Sequence, residues 1–150
     1  MKKLTLVAAL SLSALAMNAS AAGSVTGNFD VTINLTSACR ITTAPGNIAV
    51  SYTSFVGTDQ SNTTPFAVQC TNTLPYTMAL SAATGTLLGL NYTLVIRNSG
   101  DTADVTGTQT AGAAATSFRI KATVGSGQQG TCATPTCSAT SAAQTLTISY

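Results

Sequence analysis

Histidine, glutamate and tryptophan are absent from this 150-residue chain, and four aspartates are its only acidic side chains. Without histidine, triads with an imidazole base and zinc sites with imidazole ligands cannot be assembled, and four acids leave little for general acid and base work. Cations are almost as scarce: there are six Lys and Arg, and Lys2 and Lys3 stand in the first three residues. The others, Arg40, Arg97, Arg119 and Lys121, balance Asp30, Asp59, Asp101 and Asp104. No cluster of phosphate-neutralising cations is present, which argues against a nucleic-acid partner. The composition therefore predicts no catalytic site, no cofactor and no metal. What the chain has in quantity is threonine, about a fifth of all residues.

Met1-Lys2-Lys3 opens with positive charge, Leu4 to Met17 is apolar apart from Thr5, Ser11 and Ser13, and Ala19-Ser20-Ala21 follows as a small-residue cleavage site. That is the three-part layout of a secretory signal peptide over residues 1–21, with an apolar run short for a membrane span. The mature chain is then Ala22 to Tyr150, 129 residues, enough for one domain with a buried core. In an exported chain the four cysteines, Cys39, Cys70, Cys132 and Cys137, read as two disulfides rather than a metal or redox centre. Three pairings are possible. The short proline-containing loop Cys132-Ala-Thr-Pro-Thr-Cys137 favours the near pair, which leaves Cys39 with Cys70.

Short stretches rich in Val, Ile, Leu, Tyr and Phe are punctuated by Gly, Thr, Ser and Asn, and no helical period persists after the leader, so the fold class is all-β. The clearest alternation puts Val25, Gly27, Phe29, Val31, Ile33 and Leu35 on one face, predicting a long strand with one buried side. Further strands are predicted around Ile48, Val50 and Tyr52; Phe66, Val68 and Cys70; Tyr76, Met78 and Leu80; and Leu90, Tyr92, Leu94 and Ile96. Two more follow around Phe118, Ile120, Ala122 and Val124, with Arg119 and Lys121 facing out, and around Leu146, Ile148 and Tyr150. Seven or more short strands suggest a two-sheet sandwich. Residues 81–89 and 100–115 read as loops or weak edge strands.

The mature sequence starts almost at once on a strongly alternating strand and stops on another. An open sheet edge beside a strand without a partner is an aggregation hazard unless pairing is its purpose. Donor-strand complementation supplies that purpose, and its head-to-tail contacts generate a filament.

The segments Phe29-Asp-Val-Thr-Ile-Asn-Leu-Thr-Ser-Ala-Cys39, Phe66-Ala-Val-Gln-Cys70-Thr-Asn-Thr-Leu-Pro-Tyr76-Thr-Met-Ala-Leu80, Leu90-Asn-Tyr92-Thr-Leu and Gln144-Thr-Leu-Thr-Ile-Ser-Tyr150 together resemble the spore coat protein U family, which includes the major pilins of archaic chaperone-usher pili. The strand-Cys-Thr-Asn-x-x-Pro-Tyr block is the most specific part; the Cys132–Cys137 loop departs from the commoner pattern. The resemblance implies an incomplete immunoglobulin-like sandwich lacking its last strand, with residues 22–36 as a donor-strand extension running into the first strand and 37–150 as the pilin domain. It also implies a Cys39–Cys70 disulfide. Val25, Gly27, Phe29, Val31 and Ile33 would insert into the next subunit, and Leu146, Ile148 and Tyr150 would wall the acceptor groove and face a periplasmic chaperone. An outer-membrane usher would exchange chaperone for subunit, and the chain would reach the cell surface without stable membrane insertion. A closed, monomeric, secreted sandwich binding carbohydrate or a surface partner is the alternative.

Smaller motifs carry less. Asp101 and Asp104 read as solvated surface charges, the triplets at Asn34, Asn62 and Asn91 are expected by chance in a threonine-rich chain, and Tyr52, Tyr76, Tyr92 and Tyr150 fall in apolar strand register.

Overall fold

The computed structural model describes residues 23–150; the signal peptide expected over 1–21 lies outside the described residues. Of the described residues, 23–34 belong to one unit and Leu35–Tyr150 form a second. Among the described residues all regular structure is β and falls in the second unit: β1 (Cys39–Thr43), β2 (Gln60–Cys70), β3 (Pro75–Leu80), β4 (Thr84–Leu87), β5 (Leu90–Asn98), β6 (Gln109–Thr110), β7 (Thr116–Val124) and β8 (Leu146–Ser149). They build two antiparallel sheets, one of five strands in the order β1-β2-β7-β5-β4 and one of three in the order β6-β3-β8, in a curled sandwich-like arrangement.

The core of this unit follows from period-two patterning. Along β7, Phe118, Ile120, Ala122 and Val124 are buried while Arg119, Lys121 and Thr123 are half-exposed between them. Antiparallel register places Phe118 opposite Phe66 and Ile120 opposite Ile96, so large residues from three adjacent strands form continuous rows. The Phe66 and Phe118 rings stack with centroids 5.5 Å apart, and Phe66 and Val68 are 1 % and 2 % exposed, the centre of the core. Tyr76, Leu94 and Ile96 complete it. Burial holds the Tyr76 hydroxyl above its usual pKa of 10.0, against a hydrogen bond with Thr116 that lowers it.

Turn geometry is equally local. β4 and β5 are joined by Leu88 and Gly89, both at positive φ (52° and 69°), the conformation a two-residue hairpin uses to match strand twist. Both disulfides form as the cysteine spacing suggested: Cys39–Cys70, at facing positions of β1 and β2, and Cys132–Cys137, closing an exposed surface loop. Two disulfides fit an oxidising compartment, extracellular or periplasmic. No helix among the described residues is long and apolar enough to cross a membrane.

Three expectations are corrected. Residues 23–38 carry no strand, so the first strand begins at Cys39 rather than continuing from the alternating segment. Residues 48–52 are not a strand either, although Ile48, Val50 and Tyr52 are half-buried and the residues between them exposed. The final strand stops at Ser149 and leaves Tyr150 outside it, 63 % exposed. In the first two cases the same reason applies: alternation selects the face to be buried, but a strand also needs a backbone ladder.

Candidate functional site

Three features of the chain lack backbone pairing partners. The first is the free edge of β8. Its residues Leu146, Thr147, Ile148 and Ser149 pair with Leu80, Ala79, Met78 and Thr77 on one side only, because β8 is last in its sheet. Three strands lie across from five, and the consequence is visible in burial. Inward residues at the centre of the large sheet, Phe66, Val68, Leu94, Ile96, Phe118 and Ile120, are buried, whereas Met78, Leu80, Leu146 and Ile148 of the small sheet, packed on the same core, stay half-exposed. Of the predicted groove residues, Leu146 and Ile148 point inward, and Tyr150 lies just beyond the strand.

Residues 46–52 add a second unladdered stretch, which sequence reasoning read as an ordinary strand and not as part of a site. Ile48 and Val50 pack on the core. Its attachment to β2 runs through side chains: the Thr64 hydroxyl accepts the Gly46 N–H at 2.8 Å, and the Asn62 amide donates to the Ala49 carbonyl at 2.7 Å. Thr64 is the buried polar residue of the core, so this bond also satisfies it. The apolar alternation at 48, 50 and 52 was the available signal; that the stretch would remain free of a ladder was not readable from it.

The third feature is the alternating N-terminal segment. Val25 is 100 % exposed, Phe29 86 %, Val31 72 % and Ile33 84 %, and Gly27 has open space around it. Scattered exposed apolar residues are ordinary, but here they recur at every second position of one stretch. Such a stretch has the pattern of a strand and none of its bonds.

On the outward face of the large sheet, the expectation that Asp101 and Asp104 are merely solvated is corrected. Asp101 is bridged by Lys121 Nζ at 3.1 Å and Arg97 Nε at 2.9 Å, and Arg97 also pairs with Asp104. Arg97 lies on β5 only four and seven residues away and Lys121 on β7 twenty away, and the turn after β5 is what folds both aspartates back onto them. Arg97 and Arg119 stand directly opposite on neighbouring strands, a repulsive placement. The two aspartates offset it at Arg97, while Arg119 donates to the Ser99 carbonyl and the Thr63 hydroxyl. The hydrogen bond from Lys121 is the main reason the Asp101 carboxyl sits below its usual 3.8, with Arg97 adding to it and partial desolvation opposing. The unfolded chain therefore takes up this proton first as pH falls. The contribution is present above the ordinary value and is lost as pH drops through the lowered folded value. Comparing urea midpoints at neutral and acid pH, Asp101→Asn is expected to show a smaller acid-induced drop than the parent; an equal drop refutes the assignment. Asparagine also tolerates the positive φ of 54° at this position.

Among the described residues, no group of three or more metal-ligating side chains occurs. Comparison with protein families, with curated proteins and with solved structures finds no match for this chain.

Proposed function

We propose that this chain is a structural subunit of an extracellular chaperone-usher pilus that polymerises by donor-strand exchange and supports adhesion and biofilm formation. The observation that carries the reading is the width mismatch: a three-stranded sheet with a free edge at β8 lies across from five strands and leaves Leu146 and Ile148 half-exposed. An unpaired segment with apolar residues at alternate positions, Val25 to Ile33, matches what that edge lacks. In this reading the sandwich is immunoglobulin-like and incomplete, and a neighbour's segment pairs with β8 while its side chains cover the half-exposed core.

Four apolar side chains, Val25, Phe29, Val31 and Ile33, contribute roughly 6 to 12 kcal/mol gross at about 1.5 to 3 each, before ordering costs and beside the new backbone bonds. Gly27 supplies the position of close backbone approach. Before assembly a periplasmic chaperone would occupy the β8 edge, with Tyr150 beside its grip, and an outer-membrane usher would exchange it for the next copy. A partner identical to itself suits a chain with few ions to desolvate.

Detergent electrophoresis tests the assembly. Purified exported protein is expected to run unboiled as a ladder of oligomers and after boiling as a monomer. A lone monomer band in both lanes would instead favour the monomeric secreted binding module.

A further inference from the structure

We propose that an open cleft of about 580 Å³ on the β4-β5-β7 side of the large sheet is a binding site for a neutral saccharide. The volume falls in the range of roughly 300 to 1,000 Å³ that small-ligand sites occupy. Thr84, Asn91, Tyr92, Thr93, Thr123 and Asp59 line it. With Gln128 the lining offers hydroxyls, two amides and one carboxylate, and no cation. Phosphate or sulfate would find no counter-charge here, whereas a polyol finds both donors and acceptors.

The polar groups are only partly used within the protein. Asp59 accepts the Ser126 N–H at 2.9 Å through one oxygen, leaving the other open. Asn91 accepts the Thr86 hydroxyl at 2.7 Å through Oδ1, leaving its NH₂ to donate. A carboxylate oxygen and an amide donor held on one frame suit adjacent sugar hydroxyls. The Tyr92 side chain faces the core on the opposite side of β5, where its ring lies against Gly85 of the neighbouring strand and a Cβ would overlap it, so glycine is what lets β4 sit beside it.

The wall of the cleft is built rather than incidental. Residues 125–130, Gly-Ser-Gly-Gln-Gln-Gly, have the composition of a flexible loop, yet they are pinned throughout. The Gln128 amide accepts the Asn91 N–H at 2.7 Å and donates to the Asn91 carbonyl at 3.0 Å and the Gly125 carbonyl at 3.1 Å. Its backbone N–H donates to the Tyr52 hydroxyl at 2.8 Å, and its carbonyl accepts the Phe55 N–H at 2.9 Å. Gly127 N–H donates to the Val56 carbonyl at 2.7 Å. A pre-ordered wall reduces the ordering cost of binding, which weakly binding, hydroxyl-rich ligands can least offset.

The site does not depend on polymerisation, so the test uses purified exported protein in whatever assembly state it has. Calorimetric titration with maltose, lactose, cellobiose and chitobiose, and with glucose 6-phosphate as the anionic comparator, is expected to show binding of at least one neutral disaccharide and none of the phosphate. Asp59→Asn is expected to weaken that binding about tenfold or more, the size of a hydrogen bond to a charged group. Thr93→Val and Thr123→Val keep a β-branched strand residue and should weaken it severalfold with unchanged melting. Absence of binding to all four disaccharides, preference for the phosphate, or affinity unaltered in the three variants overturns the proposal.

Discussion

Exported protein lacking Gly23–Phe29 is expected to form both disulfides and no filaments. The deletion leaves Ala22 beside the expected cleavage site and removes Val25, Gly27 and Phe29, the leading half of the alternating face. It takes nothing from the core, because Val25 and Phe29 are 100 % and 86 % exposed and the Cys39–Cys70 and Cys132–Cys137 bridges lie elsewhere. What it removes is about half of the roughly 6 to 12 kcal/mol gross apolar contribution estimated for insertion, together with the backbone bonds of that stretch. Association must also overcome lost translational and rotational freedom, about 4 to 15 kcal/mol, so the remainder is not expected to hold a fibre. Electron microscopy of cells carrying the deletion decides the matter. Filaments of normal length would sink the donor-strand reading.

Different parts of this architecture were legible in the sequence for different physical reasons. Strands around Phe66, Tyr76, Leu94, Ile120 and Ile148 were readable because each turns one face to the core, fully or half-buried, and has a partner within the chain, so alternation and ladder coincide. Residues 25–36 and 48–52 alternate just as well and are not strands, since a pattern of side chains says nothing about whether backbone donors meet acceptors. β4 and β6, in the regions read as loops or weak edges, are four and two residues long, too short for periodicity to register. The cysteine spacing anticipated both bridges. Ion pairs from Asp101 to Lys121 and from Asp104 to Arg97 were missed, because they depend on the register of β5 and β7 with the 99–104 turn. The fixed conformation of residues 125–130 depends on Tyr52, Phe55 and Asn91, each remote in sequence, so no local pattern announces it.

Two phenylalanines separate folding from assembly under the same substitution. Phe66 is 1 % exposed and stacks on Phe118 at the centre of the large sheet, so Phe66→Ala removes a buried ring and leaves a cavity. The expected cost is about 3 to 5 kcal/mol, a large share of the roughly 5 to 15 kcal/mol that holds a domain together. Cells should then hold several-fold less trypsin-resistant, disulfide-bonded subunit. Phe29, 86 % exposed in the single chain, has no such packing to lose. Phe29→Ala is expected to leave the amount of folded, disulfide-bonded subunit at the parental level, as exposed substitutions usually change stability by less than about 0.5 kcal/mol. Its effect should fall on the fibre instead: each subunit junction loses about 1.5 to 3 kcal/mol of burial, and the unboiled ladder should shift toward monomer. Parental levels of folded Phe66→Ala protein would contradict the core described above. An unchanged ladder for Phe29→Ala would take from the insertion mechanism its largest side chain, and with it the reason for an exposed aromatic on that face.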